Sequence, residues 1–221
     1  MKENVKTALI LGATGLTGGI LLSLLLENDT YAKVKLFSRT SVGFTHPKLD
    51  EYIGDLLQLE KYKSDFIADE VYCCIGTTKK KTSNKEKYRA IDYGIPVTAA
   101  KLAKENGIAT IVVISALGAN AKSSIFYNRI KGEMEKGVLN FQIKKTHILQ
   151  PSLIGGVRSE KRFGEQVFKQ LMKLMHFVLV GSLEKYKPIA PTTIAKAMIW
   201  LANNDYKAVR IASDEIKKLG Q

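Results

Sequence analysis

Val5-Lys6-Thr7-Ala8-Leu9-Ile10-Leu11 is an apolar run that breaks directly into Gly12-Ala13-Thr14-Gly15-Leu16-Thr17-Gly18-Gly19 and then into the leucine-rich stretch Ile20 to Leu26. The order strand, glycine turn, helix commits the chain to a parallel α/β unit. Gly12 and Gly15 can take backbone angles closed to other residues and let a ligand lie against the chain, and Gly18 lets the helix pack close to the strand. The free N–H groups at the start of that helix, with its positive dipole end, then face the turn, where a pyrophosphate is the usual guest. A tight turn that binds nothing would use the same glycines, but the strand before and the helix after both stand where a phosphate-binding turn requires them.

At 221 residues the chain fits one domain, residues 1–221, with 152–221 contributing a small substrate-side region. Hydrophobic residues at 45% and charged residues at 25% exclude a disordered chain. The longest apolar segments, Ile20 to Leu26 and Ile108 to Ala116, fall short of the roughly 20 residues that cross a bilayer, so no membrane partner is expected. The glycine motif follows Met1 to Leu11 where a signal peptide would have its cleavage site, and the expected location is the cytoplasm. Cys73 and Cys74 are sequence neighbours in an apolar stretch and read as buried, inert thiols. The formal charge of +13 favours anionic ligands such as phosphorylated cofactors. Its lysines are spread along the chain apart from Lys79-Lys80-Lys81, so no specific nucleic-acid binding is expected.

Further strands are expected at Val34 to Phe37, Glu51 to Gly54, Glu70 to Ile75, Ile108 to Ser115, Thr146 to Gln150 and Val209 to Ala212. Between them fall helices over about Lys85 to Asn106, divided at Pro96 and capped by Gly107, and over Tyr127 to Lys136. Phe163 to Phe177 and Pro191 to Asn203 read as later helices, with a polar tail at the end. This alternation implies a doubly wound parallel sheet, whose ligands bind beyond the carboxyl ends of the strands.

Two strand ends bear on chemistry. Ser38-Arg39-Thr40 ends the second strand, where an acid would accept from an adenosine ribose and an arginine accommodates a 2′-phosphate; the reading is NADP(H) over NAD(H). Asp55 could accept from an adenine amino group and Leu56 could cover the ring. Ser115 ends the fifth strand, Tyr127 follows twelve residues later, and Lys131 lies four beyond it on the same helix face. Reducing a carbonyl creates an alkoxide that must be protonated, and a phenol does so more readily when a cation lowers its pKa. Lys131 supplies the cation, and the Ser115 hydroxyl can hydrogen-bond the same oxygen and hold it in line. Tyr31 and Lys35 share that spacing without a strand-end serine. His46, His147 and His176 lack acidic partners at ligand spacing, and no metal site is expected.

The glycine turn, Ser38-Arg39, Ile91-Asp92-Tyr93 leading into Ala99-Ala100-Lys101-Leu102-Ala103, Ser115-Ala116-Leu117-Gly118-Ala119, Tyr127 to Glu133 and Leu149-Gln150-Pro151-Ser152 together resemble the short-chain dehydrogenase/reductase superfamily. The resemblance is to its atypical members with Gly-x-x-Gly-x-x-Gly, most of all the NAD(P)-binding, Tat-interactive-protein-like oxidoreductases, over about residues 5 to 165. It implies a Rossmann fold with Tyr127 as catalytic acid/base, Lys131 also on the nicotinamide ribose, and Ser115 orienting the substrate oxygen. It further implies Gly76 and Thr77 along the cofactor, and Pro151, Ser152 and Leu153 against the nicotinamide amide. Arg158 to Glu165, which also resembles the family, could by its position close over that side as a charged lid or stand as a solvated loop. Gln150-Pro151-Ser152 replaces the usual Arg-Pro-Gly, and the segment after Pro151 is short for a substrate region. The expected function is an NADP(H)-dependent oxidoreductase, monomer or homodimer, acting on a small carbonyl or alcohol. The alternative is a silent NADP(H)-binding sensor or scaffold with a protein partner.

Overall fold

The computed structural model describes residues 5–155, 184 and 186–221. The expected helix over 163–177, the lid over 158–165 and His176 lie outside the described residues. Seven parallel strands form one sheet, in the order β3-β2-β1-β4-β5-β6-β7. They are β1 (Lys6–Leu11), β2 (Tyr31–Ser38), β3 (Leu49–Ile53), β4 (Glu70–Cys73), β5 (Thr110–Ile114), β6 (Lys145–Gln150) and β7 (Arg210–Ala212). The chain runs outward from β1 to β3, then returns to build the other half from β4, so the crevice above β1 and β4 is the topological switch point.

Strand pleating divides each apolar run between two cores. Ala8 and Ile10 of β1 and Val112 of β5 face α1 (Leu16–Leu26) and α5 (Pro191–Asn203), packing on Leu21, Leu25, Met198 and Leu201. Leu9, Leu11, Ile111 and Val113 face α3 (Ile95–Glu105) and α4 (Phe126–Leu139), packing on Ala99, Ala103, Met134 and Val138. Burial on both faces explains why these strands are continuously apolar rather than alternating. Cys73 is buried as expected and Cys74 only partly so; desolvation pushes the Cys73 thiol up to about 11 and raises that of Cys74 as well.

Some boundaries move. The expected helix over 85–106 is three pieces: α2 (Lys85–Arg89), a π turn (Ala90–Gly94) and α3. The break is the π turn and not Pro96, which sits in the first turn of α3 where its missing N–H is harmless. Gly107 does cap the helix, at φ +71°. β2 begins at Tyr31, earlier than its apolar core suggests, because the Tyr31 hydroxyl meets the Glu70 carboxylate at 2.7 Å and the Tyr72 hydroxyl at 2.9 Å under the amino edge of the sheet. The expected polar tail is a helix, α6 (Ser213–Leu219), with Asp214 and Glu215 in its first turn, Lys217 and Lys218 in its last, and Ile216 in the core.

Candidate active site

The glycine turn joins β1 to α1 at the carboxyl edge of the sheet. Gly12 holds φ +91°, and a Cβ there would stand 3.0 Å from the Cys74 backbone. A Cβ at Gly18 would stand 2.2 Å from the Gly12 carbonyl oxygen, so only glycine lets the helix start against the strand. Thr14 and Gly15 are exposed, Leu16 is half-buried and Thr17 buried. Gly15 is the N-cap, with no side-chain cap and no acidic residue in the first turn of α1. The Gly15 amide donates to the Gly12 carbonyl at 3.0 Å, and the amides that follow it in the first turn of α1, beside a cradle that a side chain would fill, fit the pyrophosphate of a dinucleotide.

At the end of β2, Ser38 is buried and its hydroxyl donates to the Thr40 carbonyl, closing a turn that leaves Arg39 exposed. Arg39 makes no ion pair or hydrogen bond with the described residues. Asp55 caps the following 3-10 segment (Leu56–Tyr62), one carboxylate oxygen accepting the Leu57 amide at 3.0 Å. Leu56 lies in the core with Leu59 and Phe66, so it is Leu57, not Leu56, that reaches the surface there.

Gly76 and Thr77 follow β4. A Cβ on Gly76 would lie 3.7 Å from both Asp92 Oδ1 and Lys131 Nζ. The Thr77 amide donates to Asp92 Oδ2 at 2.8 Å, and the Tyr88 hydroxyl donates to the Thr77 carbonyl at 3.1 Å. Lys131, 3% exposed, pairs with Asp92 Oδ1 at 3.0 Å. Tyr127 stands one helical turn before it, 42% exposed. Lys131 pulls the phenol pKa down as the sequence suggests, but desolvation outweighs it and Asp92 adds to the rise, so Tyr127 sits above the ordinary value.

Ser115 has a partner within the fold. Its hydroxyl is buried and donates to Glu135 Oε1 at 2.6 Å. Strand alternation is the reason, because Ser115 follows Ile111 and Val113 onto the α4 side of the sheet. The same carboxylate accepts Gln150 Nε2 at 2.9 Å and Arg210 Nε at 2.7 Å, tying α4 to the ends of β5 and β6 and to the first residue of β7. Gln150, the departure from Arg-Pro-Gly, thus shares the Glu135 carboxylate with Arg210. Past β6, the Pro151 carbonyl accepts the Leu117 amide, while Ser152 donates its amide to Ser213 and its hydroxyl to the Lys187 carbonyl. Of the three, Leu153 is the exposed one.

Asp92 and Glu135 were given no role in the sequence reading. A signal for Glu135 was present: Tyr127, Lys131 and Glu135 recur at four-residue spacing, a charged stripe on a buried helix face. His147 is buried with Nδ1 3.0 Å from the Ala208 carbonyl, and His46 accepts the Lys48 amide, both structural. Among the described residues no cluster has metal-ligand character, and no helix is long and apolar enough to cross a membrane.

The sequence pattern of the NAD dependent epimerase/dehydratase family matches residues 8–128. "Protein FMP52-1, mitochondrial" of Scheffersomyces stipitis is 30% identical over 217 residues, covering 96% of this chain and 90% of that protein. "Protein HTATIP2" of Rattus norvegicus is 30% identical over 168 residues, covering 74% and 69%. Among solved structures, UDP-glucose 4-epimerase of Thermotoga maritima with UDP-glucose superposes with a TM-score of 0.69 at 14% identity, covering 97% of this chain and 81% of that one. The Bordetella bronchiseptica enzyme WbmH in complex with NAD+ does so with a TM-score of 0.69 at 17% identity, covering 98% and 79%. The sheet and flanking helices are thus Rossmann-like, as expected. The cytoplasmic expectation is overturned, since relatives from Scheffersomyces stipitis, Candida albicans and other yeasts carry "mitochondrial" in their names. It rested on the want of a secretory cleavage site, which bears on secretion and does not separate cytoplasm from mitochondrion.

Proposed function

The chain belongs to the NAD dependent epimerase/dehydratase family, and we propose that within it the protein is an NADP(H)-dependent oxidoreductase of short-chain dehydrogenase type. It acts on a small carbonyl or alcohol, with Tyr127 as acid/base. The observation that carries this reading is the buried Lys131 ammonium one turn from Tyr127, enclosed beside Gly76 at the carboxyl end of β4. The amides of the Gly12–Gly18 turn would hold the pyrophosphate, Arg39 the 2′-phosphate, and Gly76 and Thr77 would border the dinucleotide. The bound nicotinamide supplies or takes up the hydride. Tyr127 gives a proton to the substrate oxygen in one direction and takes it in the other, and Lys131 limits the charge change that this creates. Ser115 serves through Glu135 by fixing α4, and with it the height of Tyr127 above the sheet.

Turnover of NADPH with a panel of small aldehydes and ketones, followed at the nicotinamide absorbance, tests the mechanism. Tyr127→Phe is expected to lose on the order of 10²-fold or more in kcat/KM; unchanged turnover would rule out Tyr127 as the acid/base. A second reading, a dinucleotide-binding sensor or scaffold, draws support from one observation: the Ser115 hydroxyl is committed to Glu135. It predicts tight dinucleotide binding with no turnover by the parent protein. The names of its relatives support a mitochondrial setting.

A further inference from the structure

Between α4 and the π turn lies a buried pair of opposite charges that the acid/base reaction does not itself require. Lys131 Nζ stands 3.0 Å from Asp92 Oδ1, and the two side chains are 4% and 1% exposed. The π turn Ala90–Gly94 brings Asp92 beneath α4, a local widening of the helical path that recurs at functional positions. Asp92 Oδ2 accepts the Thr77 amide at 2.8 Å, which fixes the rotamer and stops the carboxylate from swinging away. Oδ1 has no hydrogen-bond partner and faces the ammonium.

A lone ammonium one turn from Tyr127 would favour the phenolate. A carboxylate 3.0 Å from that ammonium cancels most of its field at the phenol, because opposite charges so close act at a distance as a dipole. The groups facing the phenol are Lys131 from its own helix, Asp92 from the π turn and Tyr88 from α2. Only Lys131 favours its ionisation; burial and Asp92 oppose it.

We propose that Asp92 is a positioning residue that neutralises Lys131 and thereby keeps Tyr127 as a proton donor, the form that completes reduction of a carbonyl by a reduced nicotinamide dinucleotide. In that step the carbonyl carbon gains hydride, the Tyr127 O–H bond breaks, its proton goes to the substrate oxygen, and the phenolate regains a proton from water. The inference rests on Tyr127 being the acid/base and adds the direction in which the free site is poised.

The test needs neither substrate nor dinucleotide, so its outcome is separate from that of the oxidoreductase reading. The whole chain, labelled with tyrosine carrying ¹³C at Cζ, is titrated by NMR, and the Tyr127 signal is assigned by its loss in Tyr127→Phe. In the parent Tyr127 is expected to titrate above the ordinary tyrosine value, since burial of the phenol disfavours its charged form. Asp92→Asn is expected to lower that midpoint by about one pH unit or more, and Asp92→Glu to restore it. An unchanged midpoint in Asp92→Asn overturns the proposal. Because Asp92→Asn leaves a buried ammonium unpaired and can compromise folding, the double variant Asp92→Asn with Lys131→Met is titrated in parallel. Removal of a pair whose charges cancel at the phenol moves the Tyr127 midpoint by less than about half a pH unit, whereas a rise of about one unit or more means that Lys131 acts unscreened and overturns the proposal.

Discussion

Gly18 has no room for even a methyl group, since a Cβ would stand 2.2 Å from the Gly12 carbonyl oxygen and 2.8 Å from its carbon. Gly18→Ala therefore pushes α1 off β1. We expect it to destabilise the fold by about 1–3 kcal/mol in a denaturant titration, and to weaken dinucleotide binding more than tenfold. Glu135 is the other residue on which several elements depend. Glu135→Ala would leave the Ser115 hydroxyl, the Gln150 amide and the Arg210 guanidinium without their acceptor. The expected loss is about 2–4 kcal/mol, measured the same way; a change below about 0.5 kcal/mol would contradict the account of that cluster. At this scale the sequence was legible where chemistry and local spacing coincide: the glycines, Arg39, and the pair Tyr127 and Lys131. It was not legible for Asp92 and Glu135, whose partners come from other elements: Thr77 and Lys131 for the first, Ser115, Gln150 and Arg210 for the second. The bond from Ser115 to Glu135 was not legible either, because the partner stands twenty residues on in α4 and only the pleat of β5 turns Ser115 towards it.

Among the elements, α4 carries the candidate chemistry, with Tyr127, Lys131 and Glu135 on one face. Its depth is set at Gly132, where a Cβ would stand 2.1 Å from the Ala121 amide nitrogen and 2.3 Å from the Asn120 carbonyl carbon. The loop after β5 thus rests directly on the helix backbone, and Gly132→Ala must displace one or the other. The expected outcome is a fall in NADPH turnover of tenfold or more with dinucleotide affinity kept within about threefold, because the glycine turn is untouched. Equal losses in both would show general unfolding instead. The strands at the centre of the sheet could be read from the sequence because β1, β4 and β5 are short, largely apolar runs buried on two sides. Their ends could not, because Tyr31 enters β2 through hydrogen bonds to Glu70 and Tyr72, residues about forty positions away. The π turn was likewise hidden, since no residue type marks it and Pro96 offered a plausible but mistaken breakpoint.

Across the whole molecule the sheet separates stability from candidate function. Its amino edge is closed by Lys6, Tyr31, Glu70, Tyr72 and Asn203 in one hydrogen-bonded cluster, and its carboxyl edge bears every candidate site residue. Between them, burial lowers the pKa of His147, so the folded chain keeps this ring neutral. The unfolded chain takes up that proton below about pH 6.5, so the contribution is complete above that value and is lost as pH falls towards the folded one. Thermal melts should show stability falling between pH 7.5 and 5, with a shallower fall in His147→Asn; identical slopes would contradict the assignment. The central claim is that the carboxyl edge binds a phosphorylated nicotinamide dinucleotide through the glycine turn and Arg39. Calorimetric titration with NADPH and with NADH, on the parent and on Arg39→Asp, tests it most directly. The account predicts a preference for NADPH of about one to two decades, the worth of one charge-assisted contact of roughly 1.5–3 kcal/mol, and its disappearance in Arg39→Asp. No binding of either dinucleotide, or a preference that survives Arg39→Asp, would contradict it.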